Sequence, residues 1–424
     1  MKRTVLAIIL AISLQSVSGQ IQQQATSEQM QQAVERISSE YDMMGLSVIA
    51  VCEGKIAGEW YAGLRDYNRD LPVNENTKYR IASISKFVMT TAMMKLCDQR
   101  RLNLNEDVSN YLGFTLRNPN HPETPVTVRM LLLHTGSINE GAGYDNFLID
   151  TYNMVGEPPS FSELLVPGGR YYTDDMWLKE GPGEYYTYCN ANFGLAATII
   201  ERITDQRFEA FIQENLFIPL KITGSYISEG VADINNLAAI YRKEDGLWTA
   251  QTDNYKGVMS SPRDFSGYVT GTNAAVFSPQ GGLRISAAEL ARIMILHMNK
   301  GKYNGERIIS KKSIRLMHRA QFISTGTNSD NEGVRVGNRG LSVQILPESA
   351  SGTILPKDSH FLGHSGSAYG LFSGFYFDPK GKYGFIFITN GMGKAPEKGS
   401  SGSFYNFEEA LIKALQDNSA MPCK

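Results

Sequence analysis

The run from Ser83 to Arg101 constrains this fold most, because it is apolar around almost the whole circumference of a helix. Ile84, Val88, Ala92 and Leu96 share one i, i+4 stripe, and Phe87, Met89 and Met93 widen it. A helix of this kind belongs at the centre of a fold. Arg100 and Arg101 suit its negative end. If the helix starts at Ser83, Lys86 lies one turn further along the same face, with its amine in reach of the serine hydroxyl. Such a pair can act as nucleophile and base. The free N–H groups and dipole at the helix start suit an oxyanion. Ser and Lys at this spacing are common on helices, so the rest of the chain must carry the argument.

At 424 residues the chain can bury a large core and suits two lobes. Its 41 basic and 43 acidic residues leave no excess that would draw nucleic acid. Met1-Lys2-Arg3, an apolar run over 5–14 and the small residues Val17-Ser18-Gly19 predict a signal peptide over 1–19. That run is too short for a stable membrane anchor. Without Lys2 and Arg3 the net charge moves from -2 to about -4, so an exported, periplasmic or secreted protein is expected. Cys52, Cys97, Cys189 and Cys423 are too scattered for a dense disulfide framework or a zinc site. One or two bridges are allowed, with three pairings open, and Cys189 reads as a small buried side chain.

Along the chain, a Gln- and Ser-rich start merges into a helix over 32–41. β-branched and apolar runs over 46–52 and 56–62 flank Glu53-Gly54-Lys55, a hairpin signal. A short helix over 126–133 runs into His134, read as a structural turn histidine. Residues 141–183 are rich in loops and aromatics, as is common at the border of a cleft, and 321–338 is expected to help shape it. Helices are expected over 191–203, 208–216, 287–298, 311–318 and 407–415, and strands over 341–346, 370–377 and 383–389. The last two are joined by Asp378-Pro379-Lys380-Gly381-Lys382. Residues 222–277 carry no clear period. Strands at both ends and helices between them predict an α/β (α+β) unit over 20–424. Residues 33–80 and 282–424 form its α/β part, and 81–281 a mainly helical inserted lobe.

Five ordered motifs then give the serine helix its context. They are Ser83-Ile84-Ser85-Lys86; Leu131-Leu132-Leu133-His134-Thr135-Gly136; Pro182-Gly183-Glu184 leading into Tyr188-Cys189-Asn190; Gln280-Gly281-Gly282-Leu283-Arg284-Ile285-Ser286; and Gly363-His364-Ser365-Gly366. In this order they resemble the serine β-lactamase and penicillin-binding-protein-like hydrolases. The similarity is to the branch that holds class C β-lactamases, DD-peptidases, D-aminopeptidases and esterases. It implies an antiparallel sheet flanked by N- and C-terminal helices, an inserted all-helical lobe, and an active site between the two.

By that resemblance Ser83 is the acyl-accepting nucleophile and Lys86 helps remove its proton. Tyr188 is the general base, held partly as phenolate by the neighbouring cation. Asn190 binds Lys86 and the substrate. The backbone N–H groups of Ser83 and Ser367 form the oxyanion hole behind His364 and Gly366, which also border the substrate. No metal or organic cofactor is implied, and the expected partner is a small-molecule or peptide substrate, such as a cell-wall fragment. The departures narrow this. Class C β-lactamases carry Lys where this chain has His364, and a mostly neutral imidazole binds a β-lactam carboxylate less well. A peptidase- or esterase-like hydrolase is therefore expected, ahead of a β-lactamase proper or a non-catalytic peptide-binding descendant. His134-Thr135-Gly136-Ser137 departs from the usual His-Thr-Ser-Gly, and Leu220-Lys221-Ile222 from Leu-Gly-Met.

Overall fold

The computed structural model describes residues 26–153, 157–330, 337–347, 354–356, 359–380 and 383–418. The expected signal peptide, Cys423, Gly156, Gly381, Lys382 and part of 321–338 lie outside the described residues. An eight-stranded sheet is the frame. Its strands in chain order are β1 (Gly45–Cys52), β2 (Lys55–Asp66), β3 (Leu71–Pro72), β4 (Arg339–Gly340), β5 (Val343–Ile345), β6 (Leu362–Ala368), β7 (Leu371–Phe377) and β8 (Tyr383–Thr389). They pair antiparallel in the order β4-β5-β6-β7-β8-β1-β2-β3. The N-terminal β1 thus completes a sheet built mostly from the C-terminal third. Glu53 and Gly54 both take left-handed backbone in the β1–β2 connection, as a tight two-residue hairpin requires.

Alternation along the strands explains why both faces are covered. Leu46, Val48 and Ala50 of β1, with Phe385 and Phe387 of β8, pack against two outer helices, 26–40 and Asn406–Asp417. Ile49, Val51, Ile386 and Ile388 belong to the larger core that holds the serine helix, Ile84–Asp98. That helix is buried along nearly all its length. Phe87 packs 4.9 Å from Phe375 and 4.5 Å from His297, ring centre to ring centre. Burying one such side chain stabilises the fold by about 1.5–3 kcal/mol.

Four features differ from the sequence reading, each for a physical reason. Residues 141–183 contain two short helices, Tyr144–Asn153 and Phe161–Leu165, whose periodicity is cut by glycine and proline on either side. The expected strand over 341–346 shortens to β5, because Leu341 and Ser342, the latter at φ 54°, form the turn that joins it to β4. His364-Ser365-Gly366 precedes the expected strand, β7, but itself lies within a further strand, β6, whose small, polar residues have little intrinsic strand preference. The helix over 208–216 passes through a π-helical turn at Gln213–Phe217 and ends at Leu220.

The unassigned middle region holds a hairpin, Ile240–Glu244 with Leu247–Thr252. It leaves the helices and returns to the sheet. Ala238 N–H bonds Lys78 O, Ala239 N–H bonds Arg65 O, and Tyr241 N–H bonds Asn390 O at 2.8–3.0 Å. Cys52 is disulfide-bonded, whereas Cys97 and Cys189 are free. Cys189 is fully buried, and burial raises its thiol pKa.

Candidate active site

Three elements meet at the start of the serine helix. The short strand Lys78–Arg80 pairs with Arg284–Ser286 and delivers the chain to Ile81, whose N–H bonds Leu283 O at 3.0 Å. Ala82 then takes φ 47°, a left-handed conformation that costs an L-residue about 1–2 kcal/mol. This kink turns the chain into the helix, with Ser83 as its N-cap residue. β6 lies against the kink. A Cβ on Gly366 would fall 2.4 Å from Ile81 O and 3.1 Å from Ala82 Cβ, so only glycine lets the strand approach this closely. Ser373 Oγ, across from Gly366 on β7, donates to Ile81 O at 3.0 Å. Ser367, the next residue, is exposed.

Lys86 is completely buried and its ammonium group meets three acceptors: Asn190 Oδ1 at 2.7 Å, Gln280 O at 2.7 Å and Ser83 Oγ at 3.1 Å. Desolvating an isolated cation costs several kcal/mol, and three matched acceptors offset this. The Tyr188 hydroxyl sits 2.7 Å from Ser83 Oγ, and Lys86 Nζ lies 4.8 Å from the centre of its ring. Ser83, Lys86, Tyr188 and Asn190 are thus brought into one hydrogen-bonded cluster, although Ser83 and Tyr188 are 105 residues apart in sequence.

The Tyr188-Cys189-Asn190 segment leads into the helix Ala191–Thr204 and is held by two groups behind it. His134 caps the helix Val128–Leu133 in left-handed conformation and stacks on Tyr188 at 4.4 Å. Its Nδ1 accepts the Cys189 N–H at 3.0 Å, which leaves the imidazole proton on Nε2. Burial above all, with Lys86 nearby, pushes its pKa well below the ordinary histidine value, so the ring is neutral. His134 is thus a turn histidine and also the surface on which Tyr188 rests.

Glu140 accepts the backbone N–H of Asn190 and stands 3.4 Å from Asn190 Nδ2. Burial raises its carboxyl pKa, while the Asn190 N–H and the Lys86 charge act against that shift. Sequence reading missed Glu140 and the Gln280 carbonyl. No local spacing marks either, since Glu140 reaches Asn190 across 50 residues and a carbonyl has no residue type.

His364 is buried in a small pocket shared with His134, Tyr186, Tyr188 and Arg339. Its Nδ1 donates to Ser365 O at 2.6 Å. On the rim, Asn328 O accepts the Tyr186 N–H, and the Asp330 carboxylate binds the Thr187 hydroxyl. The segment at 328–330 therefore runs alongside the Tyr188 strip, as expected of a cleft border.

The beta-lactamase family model matches residues 27–402. The chain belongs to the beta-lactamase family. Members of this family are serine hydrolases. Among curated proteins, Protein flp of Staphylococcus aureus (strain N315) is 24% identical over 364 residues, covering 86% of this chain and 63% of flp. The chain therefore spans less than two thirds of the length of that relative. Among the solved structures that share the fold are two with TM-scores of 0.66 or more. The octameric penicillin-binding protein homologue from Pyrococcus abyssi aligns with TM-score 0.66 and 22% identity over 91% of this chain and 76% of its own. EstCE1, a hydrolase with promiscuous acyltransferase activity, aligns with TM-score 0.67 and 18% identity over 93% and 99%.

Proposed function

We propose that this beta-lactamase-family protein is an exported serine hydrolase that cleaves an amide or ester through an acyl-enzyme on Ser83. The observation that carries the reading is the approach of both Lys86 Nζ and Tyr188 OH to Ser83 Oγ, at 3.1 and 2.7 Å. Ser83 Oγ attacks the substrate carbonyl carbon, and its proton passes to the Tyr188 oxygen, whose phenolate form the Lys86 cation favours. The negative charge that develops on the carbonyl oxygen is met by the N–H groups of Ser83 and Ser367. The leaving group departs with the proton from Tyr188. Water then repeats the sequence on the acyl-enzyme, and Ser83 regains its proton. Asn190, engaged by both Lys86 and Glu140, fixes the ammonium while it contacts the substrate.

A peptidase- or esterase-like activity fits better than β-lactam turnover. His364 is a buried imidazole at the position where a lysine would meet a β-lactam carboxylate. The description of EstCE1 as a hydrolase with acyltransferase activity supports the same chemistry on the same fold. The disulfide at Cys52 supports export, since such bonds persist in oxidising compartments. Labelling with a fluorophosphonate tests the reading. The wild type takes up label and Ser83→Ala does not; a wild type that neither labels nor turns over any ester or D-amino-acid amide removes it.

A further inference from the structure

We propose that Arg80 and Tyr369 form a subsite for a carboxylate on the acyl part of the substrate, an inference that rests on the acyl-enzyme reading above. Arg80 ends the strand Lys78–Arg80, three residues before Ser83. Its Nε donates to Gly281 O at 3.0 Å, and its guanidinium lies 5.0 Å from the centre of the Tyr369 ring. This clamps the guanidinium plane beside the kink that carries Ser83. Its Nη1 and Nη2 have no hydrogen-bond or ion-pair partner among the described residues. Arg284 lies close by, but its charge is taken up by Asp253 at 2.8 Å, both side chains being buried. The Arg80 charge thus has no counterion of its own.

Tyr369 adds a second, independent observation. It is 45% exposed and adopts φ 58° in the β6–β7 turn, a position where an aromatic side chain is an outlier and asparagine or glycine would be relaxed. The turn is fixed from below: Gly370, at φ 105°, leaves no room for a Cβ against Tyr241 O. A strained, exposed ring stacked on a half-buried arginine is costly for a surface turn and useful in a binding pocket. A carboxylate suits this place because it accepts two parallel N–H bonds from one guanidinium.

The position along β6 assigns the subsite to the acyl half. Tyr188 must stand next to the leaving group to protonate it, and Tyr188 shares a pocket with His364. The leaving group therefore lies toward the His364 end of β6. Arg80 and Tyr369 lie at the opposite end, beyond Ser367, and face the acyl chain. The substrates that fit are half-esters or half-amides of short dicarboxylic acids.

Two p-nitrophenyl esters of equal length, the glutarate half-ester and the valerate, test this. We expect wild-type kcat/KM to favour the glutarate about tenfold, mostly through KM. The ratio should fall toward one in Arg80→Gln and in Tyr369→Ala, and stay partly above one in Arg80→Lys. A wild type without preference overturns the proposal. So does an Arg80→Gln variant that slows both esters equally, because Arg80 then only braces Gly281. Calorimetric binding of monomethyl glutarate to the Ser83→Ala protein separates this from the acyl-enzyme reading. Saturable binding that the added Arg80→Gln change abolishes supports the subsite even if no ester is turned over, and absence of binding overturns it.

Discussion

The two walls of the cleft are fixed by different physics. On the Ser83 wall, position comes from backbone fit: a left-handed Ala82, a glycine on β6 with no space for one more carbon, and bonds of the Ile81 main chain to the Leu283 carbonyl and from the Ser373 hydroxyl. On the Tyr188 wall, it comes from buried polar groups: His134 under the tyrosine ring and Glu140 behind Asn190. Lys86 joins the walls, touching Ser83 on one and Asn190 on the other. A wall held by shape fails through volume, and one held by polar pairing fails through charge.

The sharpest way to break this contrast is Tyr188→Phe, which leaves the ring on His134 and removes only the hydroxyl. Turnover of an ester should fall about 10²–10⁴-fold with the melting temperature nearly unchanged. Near-normal rates would take Tyr188 out of the chemistry. Next comes Gly366→Ala. Its methyl would meet Ile81 O at 2.4 Å, so Ser83 must shift, and we expect a loss of about 10²-fold together with lower stability. A variant with full activity would show that the Ser83 wall yields.

Glu140→Gln keeps the shape of the Tyr188 wall and removes its charge. One weakened charge-assisted contact predicts about a tenfold slower acylation, read from fluorophosphonate labelling kinetics, with a smaller change in melting temperature. An unchanged rate would mean that shape governs this wall as well.

The smallest effect on turnover is expected at Glu201, further along the helix that follows Asn190. Burial pushes its carboxyl up to about 7 against the opposing bond from Tyr268. Its folded pKa exceeds the unfolded one, so the folded state binds more protons between the two values. Stability should therefore fall as pH rises from the ordinary carboxylate range to about 7, and level off above that. Melting temperatures from about pH 4 to 8 should show this decline in the wild type and lose it in Glu201→Gln. The same decline in the variant would assign it to another group.

Much of the Ser83 wall was legible in the sequence, because a helix apolar on most faces and an i, i+3 Ser-Lys pair are local patterns. The Tyr188 wall was legible only in part. Tyr188 and Asn190 stood out through their order among the motifs, but Glu140 comes from a loop with no spacing rule. β6 was hidden for another reason. Leu362-Gly363-His364-Ser365-Gly366-Ser367-Ala368 has the composition of a turn, and becomes a strand because β7 pairs with all of it. Its glycines serve close approach, which sequence alone reads as looseness. The helices within 141–183 and the hairpin at 240–252 depend on tertiary packing in the same way, since none is long enough to announce its period.

That hairpin has a mechanical consequence. The chain between Ser83 and Gly281 does not hang from the sheet by its two ends alone, because the stretch from Ala238 to Tyr241, in the last quarter of that span, is bonded to Lys78, Arg65 and Asn390. Three attachment points define a plane, where two would define a hinge axis. The cleft is therefore braced against opening as a clamshell, and a substrate must enter past its rim.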